Sequence, residues 1–108
     1  MKAMGEEFTK VADTKDIKPS QMKAIEVGGE SICLINIGGK YYGIGNMCTH
    51  VGGPLDQGTL ESYEVECPWH GSKFDVRTGE PTKPPARTSV PTYEVKLEGE
   101  SILIRKQK

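Results

Sequence analysis

Two Gly-Gly pairs set the strongest limit on how this chain folds. "KAIEV" runs into Gly28-Gly29, "SICLINI" runs into Gly38-Gly39, and "YYGI" follows. Short apolar runs separated by paired glycines read as consecutive β-hairpins with tight turns. The pattern returns near the end as "TYEVKL", Glu98-Gly99 and "SILIRK". There Tyr93, Val95 and Leu97, then Ile102 and Ile104, alternate as half-buried strands do. Thirteen glycines and seven prolines in 108 residues favour turns over long helices. The one helical signal is a short turn around "TKDIKPSQ", with Asp13 or Thr14 as its cap.

Residues 46 to 85 depart from this pattern. They show little apolar alternation and close on the proline-rich run "EPTKPPARTSVP". Three short strands fit inside, at "YEVEC", at "KFDV" and near Leu60. Such a segment buries too little apolar surface to hold itself together, and a metal centre is the natural support. The expected architecture is all-β and a single domain, residues 1–108. An antiparallel sandwich or barrel base comes from 1–45 and 86–108, and a small inserted lobe from 46–85.

Fourteen basic residues against fifteen acidic ones argue against a nucleic-acid partner, which usually demands a clustered basic excess. The basic end, Arg105, Lys106 and Lys108, reads as a solvated tail. No apolar run approaches the ~20 residues that span a membrane. "MKAMGEEFTK" has neither the apolar centre of a signal peptide nor a twin arginine. The expectation is a cytoplasmic protein with no membrane partner.

Three cysteines are too few for a disulfide scaffold. Cys33, inside "SICLINI", reads as an ordinary buried thiol. Cys48 and Cys67 differ, because each has a histidine close by. The pattern is Cys48-x-His50, sixteen residues, then Cys67-x-x-His70, and it takes up both histidines of the chain. Four soft and borderline donors in two close pairs point to a metal site. A cysteine nucleophile activated by His70 needs one pair and leaves Cys48 and His50 without a purpose. Structural zinc accepts these donors, although its knuckles usually space them by two to four residues.

The motifs "CTH" and "CPWH", with "HVGGPLDQG", "HGSKFDVRTGE" and "KPPARTSVPTYEV", resemble the Rieske iron–sulfur family over most of the chain. The resemblance implies a Rieske-like fold and one [2Fe–2S] cluster, with Cys48 and Cys67 on the inner iron and His50 and His70 on the outer. Gly52, Gly53 and Gly71 would let the backbone curl around the sulfides and point N–H groups at them. Two thiolates with two neutral imidazoles leave the oxidised site near zero charge, against about −2 for four thiolates. An electron then enters more readily, within a family range of about −150 to +300 mV.

Respiratory members carry an extra cysteine in each loop, joined as a bridge; Gly53 and Trp69 stand at those positions here. Ser72 matches a serine near the cluster, and Phe74 replaces a tyrosine. Fewer hydrogen bonds to sulfur imply the low-to-middle part of the range. The resemblance is to the soluble Rieske-type ferredoxins of ring-hydroxylating dioxygenase systems and archaea. It implies a one-electron carrier, not an enzyme, that takes electrons from a reductase and gives them to a terminal oxygenase or another acceptor. Two alternatives stay open: a zinc-stabilised interaction module, and a small electron-entry subunit of a larger oxidoreductase.

Around the site, Trp69 reads as an aromatic packed between the loops, the other reading being that it shields the cluster or sits in a docking face. Met47, Val51, Pro54 and Leu55 read as a partly exposed apolar rim. Pro81, Pro84 and Pro85 read as a stiff closing loop, Phe74 and Val76 as core, and "VRTGE" as a turn with Gly79 left-handed.

Overall fold

In the computed structural model of the chain, residues 8–49, 52–69, 71–84 and 86–106 are described. The paired glycines do what their spacing requires. β2 (Met22–Val27), β3 (Glu30–Ile37) and β4 (Lys40–Gly45) form two hairpins, in register from Val27↔Glu30 and from Ile37↔Lys40. Near the C-terminus β9 (Thr92–Glu98) and β10 (Ser101–Lys106) form a third. Its turn is Gly99-Glu100, one residue later than the sequence reading, because Glu98 still pairs with Ser101. β1 (Thr9–Asp13) adds to β10, and the six strands run β1-β10-β9-β4-β3-β2, all antiparallel. The short helical turn is Thr14–Asp16, with Asp13 at its N-cap donating its N–H to the Asp16 carboxylate.

A second antiparallel sheet is ordered β5 (Thr59–Glu61), β6 (Glu64–Glu66), β7 (Lys73–Asp75) and β8 (Pro81–Lys83). β8 falls in the proline run read from sequence as a loop. It pairs only with β7, so the amide hydrogen that Pro81 lacks is not missed on its outer edge. Between β7 and β8 the Arg77 guanidinium bonds Asp75 and holds its carboxyl below the usual carboxylate range. Gly79 is left-handed, as read, at φ +80°, and the Val90 carbonyl oxygen occupies the place a β-carbon would need.

β3 joins the two sheets. Residues 32–36 are buried without a break, and their side chains alternate between two cores. Ile32 and Leu34 pack with Ala12, Ile17, Tyr93, Ile102 and Ile104 inside the six-stranded sheet. Cys33 and Ile35 face the other way, onto Leu55, Val65, Phe74 and the two remaining cysteines. Burial, reinforced by the Asp56 carboxylate, pushes the Cys33 thiol far up, so it packs as a neutral apolar group. Each fully buried Leu, Ile or Phe contributes about 1.5–3 kcal/mol. The exposed pairs Lys10–Asp13, Lys96–Glu98 and Arg105–Glu94 contribute about 0–1 kcal/mol each, so the cores dominate.

Leu97 departs from the alternation read in its strand. It is 45% exposed, whereas Ile102 and Ile104 on the neighbouring strand are fully buried. Truncating either core should therefore be costly: Leu34→Ala and Phe74→Ala should each lower stability by about 3–5 kcal/mol. Leu97→Ala should stay within about 0.5 kcal/mol of the parent. Urea unfolding of the three variants measures both.

Candidate metal centre

Cys48 lies just beyond β4 and Cys67 just beyond β6, each opening a short loop. The two loops are built alike. In loop 1 the Cys48 N–H donates to the Gly53 carbonyl at 2.8 Å, and Gly52 N–H to the Cys48 carbonyl at 2.7 Å. In loop 2 the Cys67 N–H donates to the Ser72 carbonyl at 2.7 Å, and Gly71 N–H to the Cys67 carbonyl at 3.1 Å. Gly52 and Gly71 both turn left-handed, at φ +75° and +77°. The loops are therefore the same six-residue ring, Cys48–Gly53 and Cys67–Ser72. Counting from cysteine to histidine hides this; counting from cysteine to glycine, C-x-x-x-G in both, reveals it.

Both cysteines are buried, Cys48 at 2% and Cys67 at 1% exposure, in the core that β3 shares with the second sheet. No disulfide joins them. His50 and His70, and Val51 and Pro85 of the expected rim and closing loop, lie outside the described residues. Among the described residues no three His, Cys, Asp or Glu side chains gather as a metal site.

The glycine at 53 is needed for space. A β-carbon there would stand 2.9 Å from Cys67 Sγ and 3.2 Å from Trp69 Cδ2. Trp69 thus leans one edge on the loop 1 backbone, yet remains 57% exposed, so it is not the enclosed packing aromatic expected from sequence. Met47 is 60% exposed, its terminal methyl 3.6 Å from where a Gly52 β-carbon would lie. Leu55, placed in the same rim by its position, is instead fully buried; it turns inward with the short helical turn Leu55–Gln57. Phe74 and Val76 are core, as read.

The surroundings hold the loops from several sides. Ser72 is fully buried, and its hydroxyl oxygen accepts the Ala86 N–H at 3.0 Å. The Thr49 hydroxyl donates to the Thr88 carbonyl at 2.6 Å. The segment after β8 is thereby tied to both loops. A residue that sequence reasoning passed over, Asn46, is buried between β4 and loop 1, with its side chain bonded to Asp56. Nothing in the sequence marked it, because its burial and its bonds to Asp56 appear only once the chain is folded.

Adding a single methyl at residue 53 should force Trp69 or Cys67 aside. Gly53→Ala is expected to lower iron content per purified chain while leaving the β-sheet circular dichroism intact. Metal analysis beside the far-ultraviolet spectrum checks this.

Residues 7–94 match the family model of the Rieske [2Fe-2S] domain. The chain is 38% identical over 97 residues to the ferredoxin component of biphenyl 2,3-dioxygenase of Rhodococcus jostii, covering 90% of this chain and 91% of that one. It is 36% identical over 98 residues to apoptosis-inducing factor 3 of Mus musculus, covering 91% of this chain but spanning only 16% of that protein. In structure it resembles the ferredoxin of carbazole 1,9a-dioxygenase from Nocardioides aromaticivorans, with a TM-score of 0.89, 36% identity, and coverage of 94% and 100%. It also resembles a chain of a complex of reduced oxygenase and oxidised ferredoxin in carbazole 1,9a-dioxygenase, with a TM-score of 0.87, 28% identity, and coverage of 94% and 96%. A family match over most of the sequence, with relatives of matching length and the same two-sheet fold, is decisive: the chain belongs to the Rieske [2Fe–2S] domain family.

Proposed function

We propose that this chain is a Rieske-type ferredoxin whose single [2Fe–2S] cluster is held by Cys48, His50, Cys67 and His70, and that it passes electrons from a reductase to a terminal oxygenase. The observation that carries the ligand set is the pair of equal rings, each placing one buried cysteine at its first position. The residues present suit the group. Two buried thiols not joined by a disulfide, left-handed glycines, and a gap at residue 53 beside Cys67 Sγ are what a thiolate-held cluster asks of its protein. Such a cluster takes up and releases one electron, at a higher potential than a four-cysteine cluster.

The chain's own contribution is to bury the thiols, fix the loops and shape the face a partner meets. Ser72 has its oxygen engaged by Ala86, which fixes the hydroxyl against the base of loop 2. Phe74 offers no hydroxyl there, whereas Ser72, whose oxygen accepts from Ala86, keeps its own O–H to donate; together these favour the low-to-middle part of the family's potential range. Met47 beside Gly52 and Trp69 beside Gly53 are both exposed and form an apolar rim suited to a small transient interface. The reductase and oxygenase are assigned as partners on the likeness to dioxygenase ferredoxin components and to the oxygenase–ferredoxin complex. Within the same proposal the chain is one domain, with a base from 1–45 and 86–108 and a cluster-binding lobe from 46–85, and it works in the cytoplasm. Among the described residues no helix is long and apolar enough to cross a membrane.

A second arrangement is favoured by one observation: the chain spans 16% of its apoptosis-inducing factor 3 relatives, so the same module also serves as one part of a larger protein. Size-exclusion chromatography with candidate partners separates a free carrier from a fixed subunit.

The purified protein should be red-brown and bleach with dithionite; a colourless protein sinks the cluster. His50→Ala and His70→Ala should each abolish the Rieske-type EPR signal, and an unchanged signal refutes that ligand. Trp69→Ala should leave the midpoint potential unchanged but slow the second-order reduction of a partner oxygenase by about tenfold, as loss of an interfacial tryptophan does. Stopped-flow kinetics at low protein concentration measures it.

A further inference from the structure

The two rings make the same internal hydrogen bonds, but their necks are closed by different means. Loop 2 is the end of a hairpin: β6 and β7 pair in register up to Glu66↔Lys73, so a ladder grips the residues that flank Cys67–Ser72. Among the described residues loop 1 has no such ladder. Beyond β4 its two sides share one isolated bridge, Met47↔Pro54. What closes it is Asn46.

Asn46 uses both its backbone and its side chain for this. Its N–H donates to the Ser31 carbonyl on β3 at 3.0 Å, and its carbonyl accepts the Leu55 N–H at 2.7 Å. Its side-chain oxygen accepts the Asp56 N–H at 2.9 Å, and its side-chain nitrogen donates to Asp56 Oδ1 at 2.9 Å. The orientation of the amide is unambiguous, because a backbone N–H can only donate and a carboxylate can only accept. One buried side chain thus bonds a residue on the far side of the loop twice. Its backbone fixes the near side to β3.

We propose that the Asn46–Asp56 pair is a positioning clamp for loop 1, standing in for the ladder that loop 2 has, and that it sets how firmly the cluster is retained. The two residues touch neither metal nor partner in this role; they act through the placement of Cys48. The inference rests on Cys48 being a ligand, and its test separates the two ideas.

Asn46→Asp puts two carboxylates face to face and should open the clamp. Adding Asp56→Asn restores a bond in the reverse direction, with an amide now at 56 donating to a carboxylate at 46. In the holoprotein, the rate of cluster loss to an iron chelator should rise about tenfold to a hundredfold in Asn46→Asp, as for other residues that orient metal ligands. It should return toward the parental rate in the double variant. Amide hydrogen exchange should quicken at Cys48 and Gly52 in Asn46→Asp while Cys67 and Gly71 keep their protection.

A parental rate in Asn46→Asp, or a double variant as fast as the single, overturns the clamp. So does equal loss of protection in both loops. Should Asn46→Asp fail to fold, Asp56→Ala removes only the carboxylate acceptor, and a parental rate of cluster loss in that variant overturns the clamp as well. Hydrogen exchange reports on the neck whether or not Cys48 is a ligand, whereas an EPR signal that survives Cys48→Ala would refute the ligand assignment and with it the clamp's hold on the cluster.

Discussion

The burial of β3 on both faces is the constraint on which this structure depends. A half-exposed strand would give the six-stranded sheet its core and nothing more. Because Cys33 and Ile35 are as deeply buried as Ile32 and Leu34, the same strand supplies a second apolar floor. The second sheet needs that floor. Its strands are three residues each, and only Val65 and Phe74 on its two central strands are fully enclosed. Alone it would bury too little to offset the entropy of ordering its loops. Laid on β3, it holds Cys67 over the same floor as Cys48, although the two are nineteen residues apart in sequence.

That shared floor also settles how the site manages charge. Two thiols at nearly complete burial, Cys48 and Cys67, are surrounded by Leu55, Val65, Phe74 and Val76. The nearby carboxylate, Asp56, is turned to Asn46 and Gln57, which takes up its oxygens in hydrogen bonds. Cys33, whose thiol feels that carboxylate as well as its own burial, remains a neutral thiol. Backbone N–H groups and glycine turns, rather than cationic side chains, make up the rings around Cys48 and Cys67. Such a setting suits metal-bound thiolates, whose charge is met by the metal itself.

Much of this was legible in the residues, and the exceptions have physical causes. Gly28-Gly29 and Gly38-Gly39 located three strands, because paired glycines between apolar runs leave few other conformations open. The Cys-His spacing located both rings. β1 escaped notice since "TKVAD" carries no clear alternation and its register slips between Lys10 and Ala12. β8 escaped because proline argues against strands in general, and only its edge position excuses it here. Trp69 and Leu55 were misjudged in opposite directions. A large aromatic is expected to bury, and a leucine in a glycine-rich loop to sit at the surface. Local geometry reversed both: the 3₁₀ turn Leu55–Gln57 swings the leucine inward, and a packed Gly53 leaves the indole only one edge to cover. The part of the site carried by His50 and His70 rests on their spacing and on the family.

The family resemblance puts Gly53 and Trp69 at the positions of a bridge between the loops in respiratory Rieske proteins, and here the two residues fit closely against each other. The space a side chain at 53 would take is bounded by Cys67 Sγ on one side and the indole on the other. The small residue and the large one are therefore a matched pair, and changing one alone creates a clash or a gap. Without a covalent tie, the loops depend on hydrogen bonds: Thr49 to Thr88, Ala86 to Ser72, and the pair between Asn46 and Asp56. Each is a neutral or singly charged hydrogen bond, worth about 0.5–3 kcal/mol. Their sum is comparable with the 2–4 kcal/mol or so of a disulfide, spread over three places. A covalent bridge would fix one distance between the loops. These bonds instead fix each loop separately to the same base, and that leaves Trp69 exposed where a bridge would have removed it.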